Sequence, residues 1–186
     1  AATAALAWVR TAVAEGRTPA GLDGATLVFE RASLQLLAPL PRPRSYRSFS
    51  IYESHMLKTY GKPLREGGPL RRNPDWYRYP VYYKGNADSI AGPEEPIPFP
   101  YYTQQLDAEF ELGIVLGRRG RNLTVEEARG CIAGYTILVD SSGRGLRNRE
   151  FLGPCKDKDF HTALGPCLVT ADEFDFVRGA PARLSV

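Results

Sequence analysis

The stretch LDAEFELGIV, residues 106–115, places Glu109 and Glu111 two positions apart in a run that reads as a β-strand. Alternate residues of a strand face the same side, so the two carboxylates stand next to each other. The segment is otherwise apolar enough to belong to a core. Two like charges that close are costly, and more so when partly withdrawn from water. Something must offset their repulsion, or they must face solvent.

The next segment supplies a third carboxylate. In NLTVEEARGCI, Thr124 and Glu127 fit the S/T-x-x-E capping box, which predicts a helix starting at Val125. AGYTILV follows as a buried strand ending at Asp140. A strand–helix–strand passage commonly places both strands in one sheet, so Glu109, Glu111 and Asp140 converge at one end of it. Three oxygen ligands select a hard cation, Mg²⁺, Mn²⁺ or Ca²⁺, over zinc, and such a cation would offset the repulsion. The other reading is the solvated face of an edge strand, and Asp107, of the same parity, fits it. Spacing alone leaves both open.

Upstream, AATAALAWVRTAVAEGR reads as an N-terminal helix ending near Gly16. Leu27 to Phe29 and Leu34 to Leu37 look like short strands, closed by Pro39, Pro41 and Pro43. Residues 1–40 are therefore expected to be an N-terminal appendage, with a main domain over 41–186. Helical spacing is expected in SFSIYESHMLKTYGKP and a loop in LREGGPLRRNPDWYRYP. VYYKGN reads as a short strand with a turn, the proline-rich AGPEEPIPFP as a stiff extended segment, and GPCLVTADEF as a further short strand. The order is α+β with a strongly twisted or rolled sheet.

Composition bounds the function. The 186 residues are 43% apolar and 11% aromatic, a globular balance. Lys plus Arg is 24 against 21 for Asp plus Glu, and a net charge of +3 gives no argument for nucleic acid. No apolar run approaches the roughly 20 residues of a membrane span. Cys131, Cys155 and Cys167 form no C-x-x-C pair and read as reduced, partly buried thiols of a cytoplasmic protein. An arginine-rich loop with Arg65, Arg71 and Arg72 is either a solvated face or a pocket for acidic ligands.

Three segments in order, PDWYRYPVYYKGN, DAEFELGIVLGRRGRNLTVEEARGCIAGYTILVDSS and KDKDFHTALGPCLVT, resemble the fumarylacetoacetate hydrolase family, over roughly residues 34–175. The family patterns are D-x-E-x-E-L-x-x-V-I-G, G-Y-T-x-x-N-D-x-S-A-R-D and K-x-F-D-x-x-x-P-x-G-P. The resemblance implies a mixed β-roll, usually a homodimer, with a divalent cation, Mg²⁺ or else Mn²⁺ or Ca²⁺, held by carboxylates. It implies a keto-acid substrate such as a β-diketo acid or acylpyruvate. Hydrolysis of a C–C bond is the leading expectation. Isomerisation, decarboxylation or hydration of 2-keto acids, or a non-catalytic role with a weakened site, are the alternatives.

Carried over by motif, Glu109, Glu111 and Asp140 are the metal ligands and His55 is the catalytic histidine. Lys158, Tyr83 and Arg144 match substrate-binding positions. From the residues alone, a histidine on an apolar helix face reads as core, and Lys158 reads as a solvated lysine of a charged loop.

The pattern also breaks. Ser48 stands where some members carry a fourth carboxylate ligand, Gly145 replaces the Asp of S-A-R-D, and Lys58 stands where some branches place a Glu beside the histidine. The chain stops at VRGAPARLSV, where the family continues with further strands, so the roll is expected to lack its C-terminal strands.

Overall fold

Residues 106–116 alternate as the sequence predicts, but the side that faces water is the reverse of the solvated-edge reading. The computed structural model describes residues 2–59, 75–146 and 155–173. In it Leu106–Leu116 is one continuous strand, β4. Its odd positions carry Asp107, Glu109 and Glu111, and the two glutamates are half-buried. Its even positions present Phe110, Leu112, Ile114 and Leu116, all exposed, with Phe110 80% accessible. The acidic side of this edge strand is the covered side.

Numbering elements in chain order, the strands are β1 (Tyr46–Phe49), β2 (Tyr82–Gly85), β3 (Ile90–Ala91), β4, β5 (Ile132–Gly143) and β6 (Thr162–Thr170). The helices are α1 (Ala2–Ala14), α2 (Glu53–Thr59), α3 (Asp75–Arg78) and α4 (Val125–Arg129). Strands β3–β6–β5–β4 form a four-stranded mixed sheet and β1–β2 a separate antiparallel ribbon. β4 and β5 are antiparallel in a register that sets Glu109 opposite Asp140 and Glu111 opposite Leu138. β5 and β6 are antiparallel, with Asp140 opposite Thr162, and β3 joins β6 in parallel. The class is therefore α+β with a mixed sheet.

α4 starts at Val125 for the reason expected. The Thr124 side chain accepts from the Glu127 backbone N–H, and the Glu127 carboxylate accepts from the Thr124 N–H at 2.8 Å. These bonds satisfy donors that a helix start leaves open. The short helix then returns the chain antiparallel, which is what brings Asp140 back beside Glu109.

Residues Ala1–Leu36 and Leu37–Val186 form two compact units. In the first, α1 is followed by Gly16, at φ +73°, and a single bridge joins Ala20 and Thr26. The expected strands at Leu27–Phe29 and Leu34–Leu37 are absent. Residues 27–30 and 34–37 have no regular structure, with a 3₁₀ turn at Arg31–Ser33 between them. Short apolar runs become strands only when a ladder satisfies their backbone, and Leu27, Val28, Phe29 and Leu37 are instead exposed.

In the second unit, Ala38, Leu138 and Leu164 form a buried cluster with Leu40, Tyr46 and Ile90 packed on it. Tyr46 fixes the ribbon against the acidic side of the sheet. Three further expectations are revised. The ribbon strand β1 occupies part of the segment expected to be helical, and α2 begins only at Glu53. Asp75–Arg78 is a helical turn within the expected loop. β5 continues past Asp140 to Gly143. Arg65, Arg71 and Arg72 lie outside the described residues. Cys131, Cys155 and Cys167 are free thiols, but Cys155 and Cys167 are exposed rather than partly buried. No helix among the described residues is long and apolar enough to cross a membrane.

Candidate functional site

The β4–β5 register makes the site. Because Glu109 and Asp140 are cross-strand partners and Glu111 shares the Glu109 face, one ligand oxygen from each lies within 4.8 Å of the others. Asp140 is completely buried. The question the sequence raised, what holds these charges together, has an answer made of protein cations. Lys158 Nζ lies 2.8 Å from Asp140 Oδ2 and 2.9 Å from Glu109 Oε1, and the lysine is only 3% accessible. Arg144 pairs with Glu109 Oε1 and also with Asp107 Oδ2, the latter through Nε at 2.9 Å. Ser142 Oγ donates to Glu109 Oε1 at 3.2 Å.

The ribbon covers the cluster. Register sets Ser48 opposite Tyr83, so both reach the same place. Ser48 Oγ donates to Glu111 Oε1 at 3.0 Å and lies 3.2 Å from Oε2. Tyr83 Oη donates to Asp140 Oδ2, and the Tyr46 and Tyr83 hydroxyls lie 3.3 Å apart. Burial, with the negative charge of Asp140, pushes both phenols well above the usual tyrosine range. They act here as hydrogen-bond donors.

The two glutamates diverge electrostatically. Burial opposes ionisation of Glu109, but Lys158 and Arg144 outweigh it and hold the carboxyl below its usual range. Glu111 lacks a comparable cation. Burial first, then Asp140, pushes it up to about 7, against the pull of Ser48. For Arg144, Asp107 and Glu109 outweigh the effect of burial and raise it.

Does this site suit a divalent cation? The donor set is oxygen-only, as a hard cation requires. Donors also crowd onto one oxygen of Asp140. Oδ2 accepts from both Lys158 and Tyr83, while Oδ1 is buried with no hydrogen-bond partner. An unpartnered buried carboxylate oxygen is expensive, and it borders a cluster of two further carboxylates. The residues present fit the cation.

The structure thus brings Glu109, Glu111, Asp140, Lys158, Arg144 and Tyr83 together. His55 is different. It sits exposed on α2 rather than within the buried network. Glu53 on the same helix is engaged elsewhere, accepting from Tyr77 Oη at 2.7 Å. Sequence reasoning missed the parts played by Ser142 and Tyr46. Strand parity held the signal for Ser142, two positions beyond Asp140. It also missed His161. Its Nδ1 lies 2.9 Å from Ser141 Oγ, its Nε2 is buried without a partner, and burial pushes its pKa down. His161 occupies the Asp position of K-x-F-D, a departure readable in the sequence.

Comparison with known proteins bears on the same residues. The family model for the fumarylacetoacetate hydrolase C-terminal domain matches residues 54–186. The chain belongs to the fumarylacetoacetate hydrolase family. Among curated relatives, the mitochondrial oxaloacetate tautomerase of Xenopus laevis is 31% identical over 157 residues, covering 81% of this chain and 44% of that protein. The maleylpyruvate hydrolase of Aquipseudomonas alcaligenes is 32% identical over 145 residues, covering 77% and 49%. The solved fumarylacetoacetate hydrolase of Exiguobacterium antarcticum aligns with a TM-score of 0.58 at 31% identity, covering 83% of this chain and 52% of that one. The chain thus spans about half the length of these relatives. The family consists of enzymes that include hydrolases and tautomerases, so the resemblance read from the motifs holds at that level.

Proposed function

We propose that this chain carries the cation-assisted site of an enzyme that hydrolyses a C–C bond in a β-diketo acid or acylpyruvate, with Mg²⁺ or Mn²⁺ held by Glu109, Glu111 and Asp140. The observation that carries the reading is the buried, unpartnered Oδ1 of Asp140 beside two further carboxylates. A bound cation would supply Lewis acidity to the keto-acid oxygens. The chain supplies the rest. Lys158 and Arg144 are the cations nearest the cluster and suit the substrate carboxylate. Tyr83 donates its hydroxyl proton to Asp140 Oδ2 and so positions that carboxylate. In hydrolysis, the oxygen of water adds to the distal carbonyl carbon and the C–C bond breaks. Its electron pair forms an enolate, which then takes a proton. His55 is the group assigned to activate the water.

A second reading is keto–enol tautomerisation of a 2-keto acid. The exposed position of His55 favours it, because moving a proton on the substrate needs no activated water. The oxaloacetate tautomerase among the relatives is in keeping with it. One experiment tests both readings. Wild type and His55→Ala are assayed with Mg²⁺ on an acylpyruvate and on enol-oxaloacetate. Loss of acylpyruvate cleavage in the variant supports the first reading. Tautomerisation without cleavage in either protein supports the second. Turnover of neither substrate by the folded protein overturns both. A homodimer and a cytoplasmic location belong to the same proposal.

A further inference from the structure

We propose that Lys158 is a tethered cation that holds the carboxylate site until a divalent cation displaces its ammonium group from Glu109 and Asp140. This rests on the cation-binding reading above and extends it to what the chain does before the ion arrives.

Three observations carry the proposal. First, Lys158 Nζ bridges two of the three candidate ligands, at 2.9 Å from Glu109 Oε1 and 2.8 Å from Asp140 Oδ2. Nζ therefore takes up Asp140 Oδ2 and Glu109 Oε1 and leaves Asp140 Oδ1 open, so an ion on Oδ1 meets the ammonium's positive charge across the same two carboxylates. Second, the lysine is 3% accessible and Asp140 is fully buried, so water screens little of the repulsion between this ammonium and an arriving cation. Third, there is somewhere to go. A cavity of about 230 Å³ lined by Tyr83, Lys84, Asn86, Cys155 and Asp159 also has Lys158 in its wall. A four-carbon stem with rotatable bonds lets the ammonium swing without backbone movement. Asp159 lines the same space, with its Oδ1 3.8 Å from Lys156 Nζ. Displacement would turn the lysine from a counter-ion of the protein into a counter-ion for the substrate's carboxylate.

The test is calorimetric titration of Mn²⁺ into metal-stripped wild type and Lys158→Met. With its competitor gone, the variant binds about tenfold tighter or better. Its melting temperature without metal is lower than that of wild type, and Mn²⁺ raises it by more. If wild type binds Mn²⁺ and the folded variant binds equally or more weakly, Lys158 is a clamp that aids the site. The proposal then fails while the cation reading stands. If neither protein binds, the cation reading fails and takes the proposal with it. Should Lys158→Met not fold, the wild type decides alone. ¹⁵N-lysine NMR should show a protected Lys158 ammonium signal that is lost to solvent exchange on adding diamagnetic Mg²⁺. A signal unmoved at saturating Mg²⁺ overturns the proposal.

Discussion

Ser48 Oγ lies 3.0 and 3.2 Å from the two carboxylate oxygens of Glu111, at the position where the resemblance to the family implies an acid in some members. A serine here offers Glu111 a hydrogen-bond donor in place of a further negative charge. It relieves the one carboxylate of the cluster that lacks a strong cationic partner. Ser48→Ala is expected to raise the Glu111 pKa further and to cost about 1–3 kcal/mol in a denaturant melt, as for a lost hydrogen bond to a buried charged group. Ser48→Asp should destabilise the metal-free protein and be rescued by Mn²⁺. A melt unchanged by Ser48→Asp, with and without Mn²⁺, would contradict this account of the ribbon.

Glu111 gives a pH dependence with a definite sign. Its folded-state pKa is raised from 4.5 to about 7, chiefly by burial and then by Asp140. Between those values the folded state binds more protons than the unfolded state. Its contribution to stability is therefore present below 4.5 and is lost as pH rises through about 7. Glu111→Gln should remove this slope from the metal-free protein. Mn²⁺ affinity should rise over the same interval, because the ligand must be ionised. Affinity that is flat from pH 5 to 8 would count against Glu111 as a ligand.

His161 works in the opposite direction. Burial holds its folded-state pKa below 6.5, against the opposing pull of Glu95. Below 6.5 the unfolded state takes up a proton that the folded state resists, so stability is lost as pH falls from that value. His161→Gln should flatten this acid limb and leave the Glu111 slope in place. Melting curves of the two variants across pH separate the contributions. An unchanged acid limb in His161→Gln would remove His161 from the account.

Gly85 is needed for its lack of a side chain. A Cβ there would lie 1.9 Å from the Tyr46 ring, and Tyr46 joins the ribbon to the core cluster and to Tyr83. Gly85→Ala should cost about 1–3 kcal/mol by overpacking. It should also weaken metal binding, by shifting Tyr83 off Asp140. A variant as stable as wild type would mean the ribbon is free to move.

The acidic cluster was legible because strand parity and antiparallel return are local rules. The single residue between Glu109 and Glu111 sets a common face, and the Thr124 capping box marks the helix that turns Asp140 back toward them. Motifs added Lys158, Tyr83 and Arg144. The identity of the covered face was not legible. Phe110, Leu112 and Ile114 look like the core side, yet they are exposed while the acids are covered by the ribbon. Which side of a strand is buried depends on what packs against it, and β1 lies 57 residues or more upstream of β4. Leu27–Phe29 failed as a strand for a related reason, since propensity alone supplies no ladder. The Ser141–His161 contact joins β5 to the residue just before β6, at positions that no periodicity singles out.

We propose that Glu109, Glu111 and Asp140 together hold one divalent cation. The most direct test is Mn²⁺ binding followed by electron paramagnetic resonance, in metal-stripped wild type and in Asp140→Asn with a circular dichroism control for folding. Wild type is expected to bind one Mn²⁺ per chain, and the folded variant to lose that binding. Equal Mn²⁺ binding by the two proteins would contradict the proposal.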